Sequence, residues 1–161
     1  GIRVENLSNG VNLKTQNGGI SAENLSGDVK LRTLNGGIKC RKAKSTLSVS
    51  TLNGGIVLDE VSGDADIETA NGSIKGIFVG KSPEKISMKT VNGKISVDFE
   101  SLPDVKISAI TDLGAIHIAG KKIKQSEFVG TKYEGTLRNG KGNYIFKTVT
   151  GGIAINYPKK M

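Results

Sequence analysis

The chain has 161 residues, of which 36% are hydrophobic, 4% aromatic and none Trp, with 22 Gly and only 3 Pro. That length suits one domain, and the scarcity of rings excludes a core built on large aromatics. A formal charge of +8 favours anionic partners, but no dense Lys/Arg block appears and no run nears the roughly eighteen apolar residues of a membrane-spanning helix.

The chain opens inside its own pattern, at Gly1-Ile2-Arg3-Val4, with no recognisable signal peptide. Residues 1–161 are therefore read as a single β-repeat domain, a piece of a longer protein whose targeting segment is not in this chain. The string Thr-x-Asn-Gly-x-Ile begins at Thr15 and returns at Thr33, Thr51, Thr69 and Thr90. Degenerate copies begin at Thr111 and Thr148, so the Thr spacings are 18, 18, 18, 21, 21 and 37. The last gap is about two rungs, and residues 131–137 are read as a rung with an eroded motif. The pattern does not fix the register between residues 111 and 148. A second turn lies eight residues before the Thr, at Leu7-Ser-Asn-Gly10, Leu25-Ser-Gly-Asp28 and Val61-Ser-Gly-Asp64, with Ala43-Lys-Ser-Thr46 as a variant.

Parity follows from the same period. Apolar residues stand four and two positions before each Thr, as in Val29 and Leu31 or Leu47 and Val49, and five and seven after it, as in Ile38 and Cys40 or Ile56 and Leu58. Alternation of this kind marks half-buried strands. Gly recurs too often for helices, so the fold class is all-β. The alternation suits a parallel β-solenoid (β-helix) of about 7–8 rungs of 18–21 residues; the alternative is a β-sandwich or meander of short strands, with Asn-Gly in hairpin turns. The solenoid is preferred because stacking puts Thr15, Thr33, Thr51, Thr69 and Thr90 in one column and Asn17, Asn35, Asn53, Asn71 and Asn92 in another, where like side chains can hydrogen-bond along the stack. Outward positions Glu23, Arg41 and Asp59 then alternate in sign on neighbouring rungs. Exposed end rungs need cover, and residues 121–133 are read as one cap.

The phrase Thr-x-Asn-Gly-Gly-Ile, preceded by Gly-Asp-Val-x-Leu-x, resembles bacterial adhesin-like β-strand-repeat domains of unknown function. Residues 27–38 carry the likeness best, and residues 63–74 repeat it. The resemblance implies a β-helical domain, often in cell-envelope proteins, with no catalytic residues to transfer. A cell-envelope or extracellular location is the corresponding expectation.

Candidate chemistry is sparse. His117 lies at an outward strand position without the partners of a triad or zinc site. Cys40 falls at an inward position and reads as a small buried hydrophobe. The Asn-Gly-Gly corners feed strands rather than helices, so they are not phosphate loops. Asp28 and Asp64 are too few for a calcium roll and read as turn residues. No catalytic residue, cofactor or metal ligand is expected. Lys39, Arg41, Lys42 and Lys44 are the candidate anion-binding residues, for an anionic cell-surface polymer; another protein is the second candidate partner. The expected function is a non-catalytic envelope or surface module that binds or spaces. A self-assembling scaffold is the alternative, although the tail Tyr157-Pro158-Lys159-Lys160 favours a monomer. Nucleic acid is not expected, because interleaved aromatics for stacking are lacking.

Overall fold

The computed structural model describes residues 1–122 and 130–158. All regular structure among them is β. The first half holds β1 (Ile2–Leu7), β2 (Val11–Asn17), β3 (Ile20–Ser26), β4 (Val29–Asn35), β5 (Ile38–Lys44), β6 (Leu47–Asn53), β7 (Ile56–Val61) and β8 (Ala65–Asn71). Then come β9 (Ile74–Phe78), β10 (Lys85–Asn92), β11 (Ile95–Phe99), β12 (Val105–Leu113), β13 (Ile116–Ile118), β14 (Lys121–Lys122), β15 (Thr131–Leu137), β16 (Gly142–Thr150) and β17 (Ile153–Asn156).

Strands that precede the Asn-Gly corner form one sheet, and those that follow it form the other. Neighbours pair in parallel with the repeat as offset: Thr33 lies beside Thr51, and Asn35 beside Asn53. On the other sheet Ile38 lies beside Ile56 and Cys40 beside Leu58. Parallel pairing of this kind rules out a hairpin meander, so the fold is the expected β-solenoid.

Rungs do not stack throughout in chain order. The order in one sheet runs β15-β12-β16-β10-β8-β6-β4-β2, and in the other β1-β3-β5-β7-β9-β11-β17-β13-β14. The last rung, β16 with β17, thus enters between the β10–β11 rung and the β12–β13 rung. Residues 131–137 are not an eroded parallel rung: β15 runs antiparallel along the outer edge of β12. β14 closes the other sheet antiparallel to β13. The expected cap is therefore real at its two ends, and residues 123–129 between them lie outside the described residues. The C-terminal tail is not the end of the stack, because β17, which Tyr157 and Pro158 follow, is flanked by β11 and β13.

The chain returns from β15 to β16 across the start of β12. Asp104 holds that crossover. Its Oδ1 accepts from the backbone N–H groups of Asn139 (2.8 Å) and Lys141 (3.3 Å), and its carbonyl accepts from Gly142 N–H (2.9 Å).

The core is a column of Ile, Leu and Val between the sheets, with Cys40 fully buried within it. It widens where the repeat grows to 21 residues. There Phe78 stacks on Phe99 at 5.4 Å, and Phe99 on Tyr144 of the inserted rung at 5.3 Å. Gly76 leaves room for this block, since a Cβ on it would press on Phe78 and Met88. The Tyr144 hydroxyl donates to the Pro83 carbonyl at 3.0 Å, so its buried polar tip is satisfied.

The second turn begins later than its sequence suggests. Leu25, Ala43 and Val61 are not turn residues; they are buried. Asn6, Asn24, Lys42 and Glu60, one position earlier, take left-handed backbone with φ of 58°, 57°, 52° and 53°. That kink breaks the alternation and turns the next side chain inward.

Candidate functional site

Most polar side chains of the repeat are already committed. Each Asn of the corner donates Nδ2–H to Oδ1 of the Asn one rung before, from Asn35 to Asn17 (2.9 Å) through Asn92 to Asn71 (2.8 Å). The threonines behave differently from the expected ladder. Thr33, Thr51, Thr69 and Thr90 donate to the carbonyls of Gly18, Gly36, Gly54 and Gly72 at 3.0 Å each. These buried hydroxyls tie each rung to the neighbouring corner rather than to one another. Corner backbones consequently pass so closely that a Cβ on Gly54 would run into the Gly36 carbonyl. Thr15 sits on the edge strand β2 and is only half-buried.

The four cations expected to bind anions all lie on β5, but they do not converge. Lys39 is exposed on the outer sheet face. Arg41 is half-buried and paired with Asp59 at 3.2 Å and Glu23 at 3.8 Å, as the alternating signs predicted. Lys42 stands at the left-handed kink, and Lys44 is exposed beyond it. Inward-facing Cys40 and Ala43 separate them. Burial pushes the Cys40 thiol up to about 11, which leaves it neutral and unreactive. His117 is exposed on β13.

Surface depressions gather at the second corner, where the longer rungs loop out. One of ≈ 470 Å³ is lined by Ser82, Pro83, Glu84, Asp104, Arg138 and Lys141, among others. Its one engaged carboxylate is structural. Burial alone would raise the Asp104 pKa, but the N–H groups of Lys141, Asn139 and Gly140, with the Lys141 charge, hold it below the ordinary value. Among the described residues no three His, Cys, Asp or Glu side chains gather as a metal site would require.

A different surface emerges at the Asn-Gly corner. The residue after each Thr faces outward there, giving Leu34, Leu52, Ala70, Val91 and Val149 along one edge. Leu34, Leu52 and Val91 are 46%, 48% and 46% exposed. Two residues back on the same strands stand Arg32, Lys89 and Lys147, all exposed, with Lys89 directly beside Lys147. On the far side of the corner lie exposed Lys39, Lys75 and Lys94. The repeat alone does not mark this edge, because the position after Thr varies from Gln16 through Leu34 and Ala70 to Asp112.

A family model, that of Toastrack DUF4097, matches residues 2–156. The chain belongs to that family. Its function is unknown, so membership supports the β-repeat architecture and supplies no site residues. No curated protein and no solved structure matches the chain. What this Toastrack domain does has to be argued from its own surface. Among the described residues no helix is long and apolar enough to cross a membrane.

Proposed function

We propose that this Toastrack domain is a non-catalytic module of the cell envelope or cell surface that binds or spaces, in the adhesin-like sense. One observation carries the reading: the polar side chains repeated along the corners, with Asp64 and Asp104 at the depressions, are spent on the scaffold. The corner threonines hold glycine carbonyls, the asparagines hold one another, and Asp104 holds the crossover loop. Asp64, at the next depression, likewise accepts from the N–H groups of Glu84 and Lys85 at 2.9 and 3.0 Å. What remains free is regular surface, and an extended regular surface suits binding. Head-to-tail self-assembly is less supported, since antiparallel β15 ends the eight-stranded sheet and places the Lys132–Glu134 pair there.

The test is co-sedimentation of the purified domain with isolated wall polymer and envelope membrane fractions, followed by size analysis of the polymers. Sedimentation with unchanged polymer length supports the reading. Shortened polymer would overturn the non-catalytic part, and a domain left in the supernatant with every fraction would overturn the binding part.

A further inference from the structure

We propose that the Asn-Gly corner is a docking edge for an anionic lipid bilayer surface. The inference rests on the binding-module reading and names its partner.

Three features converge on that edge. The first is apolar. Leu34, Leu52, Ala70, Val91 and Val149 stand on five successive rungs in spatial order, and Asp112 takes the corresponding position on the next. With rungs about 4.8 Å apart the ridge runs roughly 19 Å. Exposed apolar residues scattered singly need no explanation, but aligned ones bounded by polar residues mark an interaction surface. Gln16 bounds this ridge at one end and Asp112 at the other.

The second feature is charge. Arg32, Lys89 and Lys147 flank the ridge on one side and Lys39, Lys75 and Lys94 on the other. Glu68, beside Lys89, and Asp112 are the carboxylates nearby. By contrast Asp28, Glu60, Asp64, Glu84, Glu100 and Asp104 lie at the opposite corner, among lysines. The molecule is therefore polarised across its width, with its positive edge coinciding with its apolar edge.

The third feature is geometry. Lys89 and Lys147 occupy directly paired strand positions; Glu68 relieves Lys89 on its other side, but Lys147, whose other neighbour is Ile110, has no carboxylate beside it on the sheet and is open to an external anion. A soluble polyanion would answer the cations but not the leucines. A bilayer interface answers both, because headgroup phosphates meet the two lysine rows while the ridge enters the acyl boundary.

The probe is vesicles of phosphatidylcholine with or without phosphatidylglycerol, with polyphosphate as a soluble polyanion. The sequence contains no Trp, so Leu52→Trp gives a single reporter on the ridge. Its emission should shift to the blue and be quenched by brominated acyl chains on anionic vesicles only. In co-sedimentation, Leu34→Ser with Val91→Ser should weaken binding at least tenfold, as should Lys75→Gln with Lys94→Gln. Lys44→Gln with Lys141→Gln, the same charge change at the other corner, should stay within twofold. Thermal melts of each variant report that the exposed replacements leave the fold intact.

Equal loss from both charge pairs, an unshifted Trp, or retained binding in the serine variant would each overturn the proposal. So would binding to polyphosphate with none to vesicles. If vesicles fail while wall polymer still sediments the domain, this inference falls and the binding-module reading stands.

Discussion

The Thr111 hydroxyl donates to the Gly151 carbonyl at 2.8 Å, across forty residues of chain. Elsewhere in the stack Thr33, Thr51 and Thr69 reach back fifteen residues for the same bond. Thr148 in turn donates to Gly93 at 3.0 Å, across fifty-five. These two bonds record that the final rung lies between two rungs made before it. One rule of local chemistry, Thr hydroxyl to neighbouring glycine carbonyl, is kept while the chain order is broken. A rung is defined by the face it offers, and here copies of the motif accept a neighbour that is not next in the chain.

Because these hydroxyls link rungs, their removal should cost stability where a partner exists. Thr51→Val leaves the Gly36 carbonyl without its donor and should lose about 1 kcal/mol. Thr15→Val, on the edge strand, should lose much less. Urea unfolding of the two variants beside the parent checks this, with the midpoint falling for Thr51→Val and m unchanged.

The repeat period made the strands, their parallel register and the buried face legible in the sequence, since Cys40, Ile38 and Leu31 recur at fixed distance from Thr. Three features were not legible, each for a physical reason. The insertion of β16 and β17 is invisible because the motif at Thr148 fits a neighbour at Gly93 as well as one next in sequence. The left-handed column was hidden because Asn6 and Asn24 suggest it but Lys42 and Glu60 do not. The proposed basic site was drawn from cations adjacent in sequence, whereas stacking gathers cations from different rungs and assigns Arg41 to Asp59.

The left-handed positions of Lys42 and Glu60 can be improved. A side chain with a Cβ is disfavoured there, and Asn or Gly bears it better. Asn24 already fits the site and donates to Asn6 Oδ1 at 2.9 Å. Lys42→Asn should stabilise the fold by about 0.5–1 kcal/mol, and Glu60→Gly by less, because Gly also widens the unfolded ensemble. Denaturant midpoints for the single and double variants measure it, and a midpoint that falls in both would remove backbone strain as the explanation.

The crossover loop should depend on pH through Asp104. Its carboxyl is held below the ordinary value, so the folded state favours the charged form. The stabilisation is present above the unfolded pKa of about 3.9 and is lost as pH falls through the folded value. Asp104→Asn keeps an oxygen acceptor but removes the charge. Its melting temperature should lie below the parent's at neutral pH and converge with it in acid. Asp104→Ala removes the acceptor as well and should remain lower throughout, with hydrogen exchange fastest at Asn139 and Lys141.

Cys40 provides a readout of the whole stack from its centre. It is 0% exposed, and burial lifts its thiol from 9.0 to about 11. An aromatic disulfide reagent at pH 8 should label it at the rate of opening rather than at the rate of a free thiol, and denaturant should abolish the protection. The raised pKa also sets a sign. Below pH 9 the neutral thiol is favoured in both states, so the stabilisation is fully present; as pH rises toward 11 the unfolded chain ionises first and stability falls. Burial raises the Tyr144 phenol from an ordinary value of 10.0, so that group adds a loss of the same sign at higher pH. The window between pH 9 and 10 therefore belongs mainly to Cys40. Cys40→Ala should flatten the decline in melting temperature there, and a decline unchanged by that substitution would place the titrating group elsewhere.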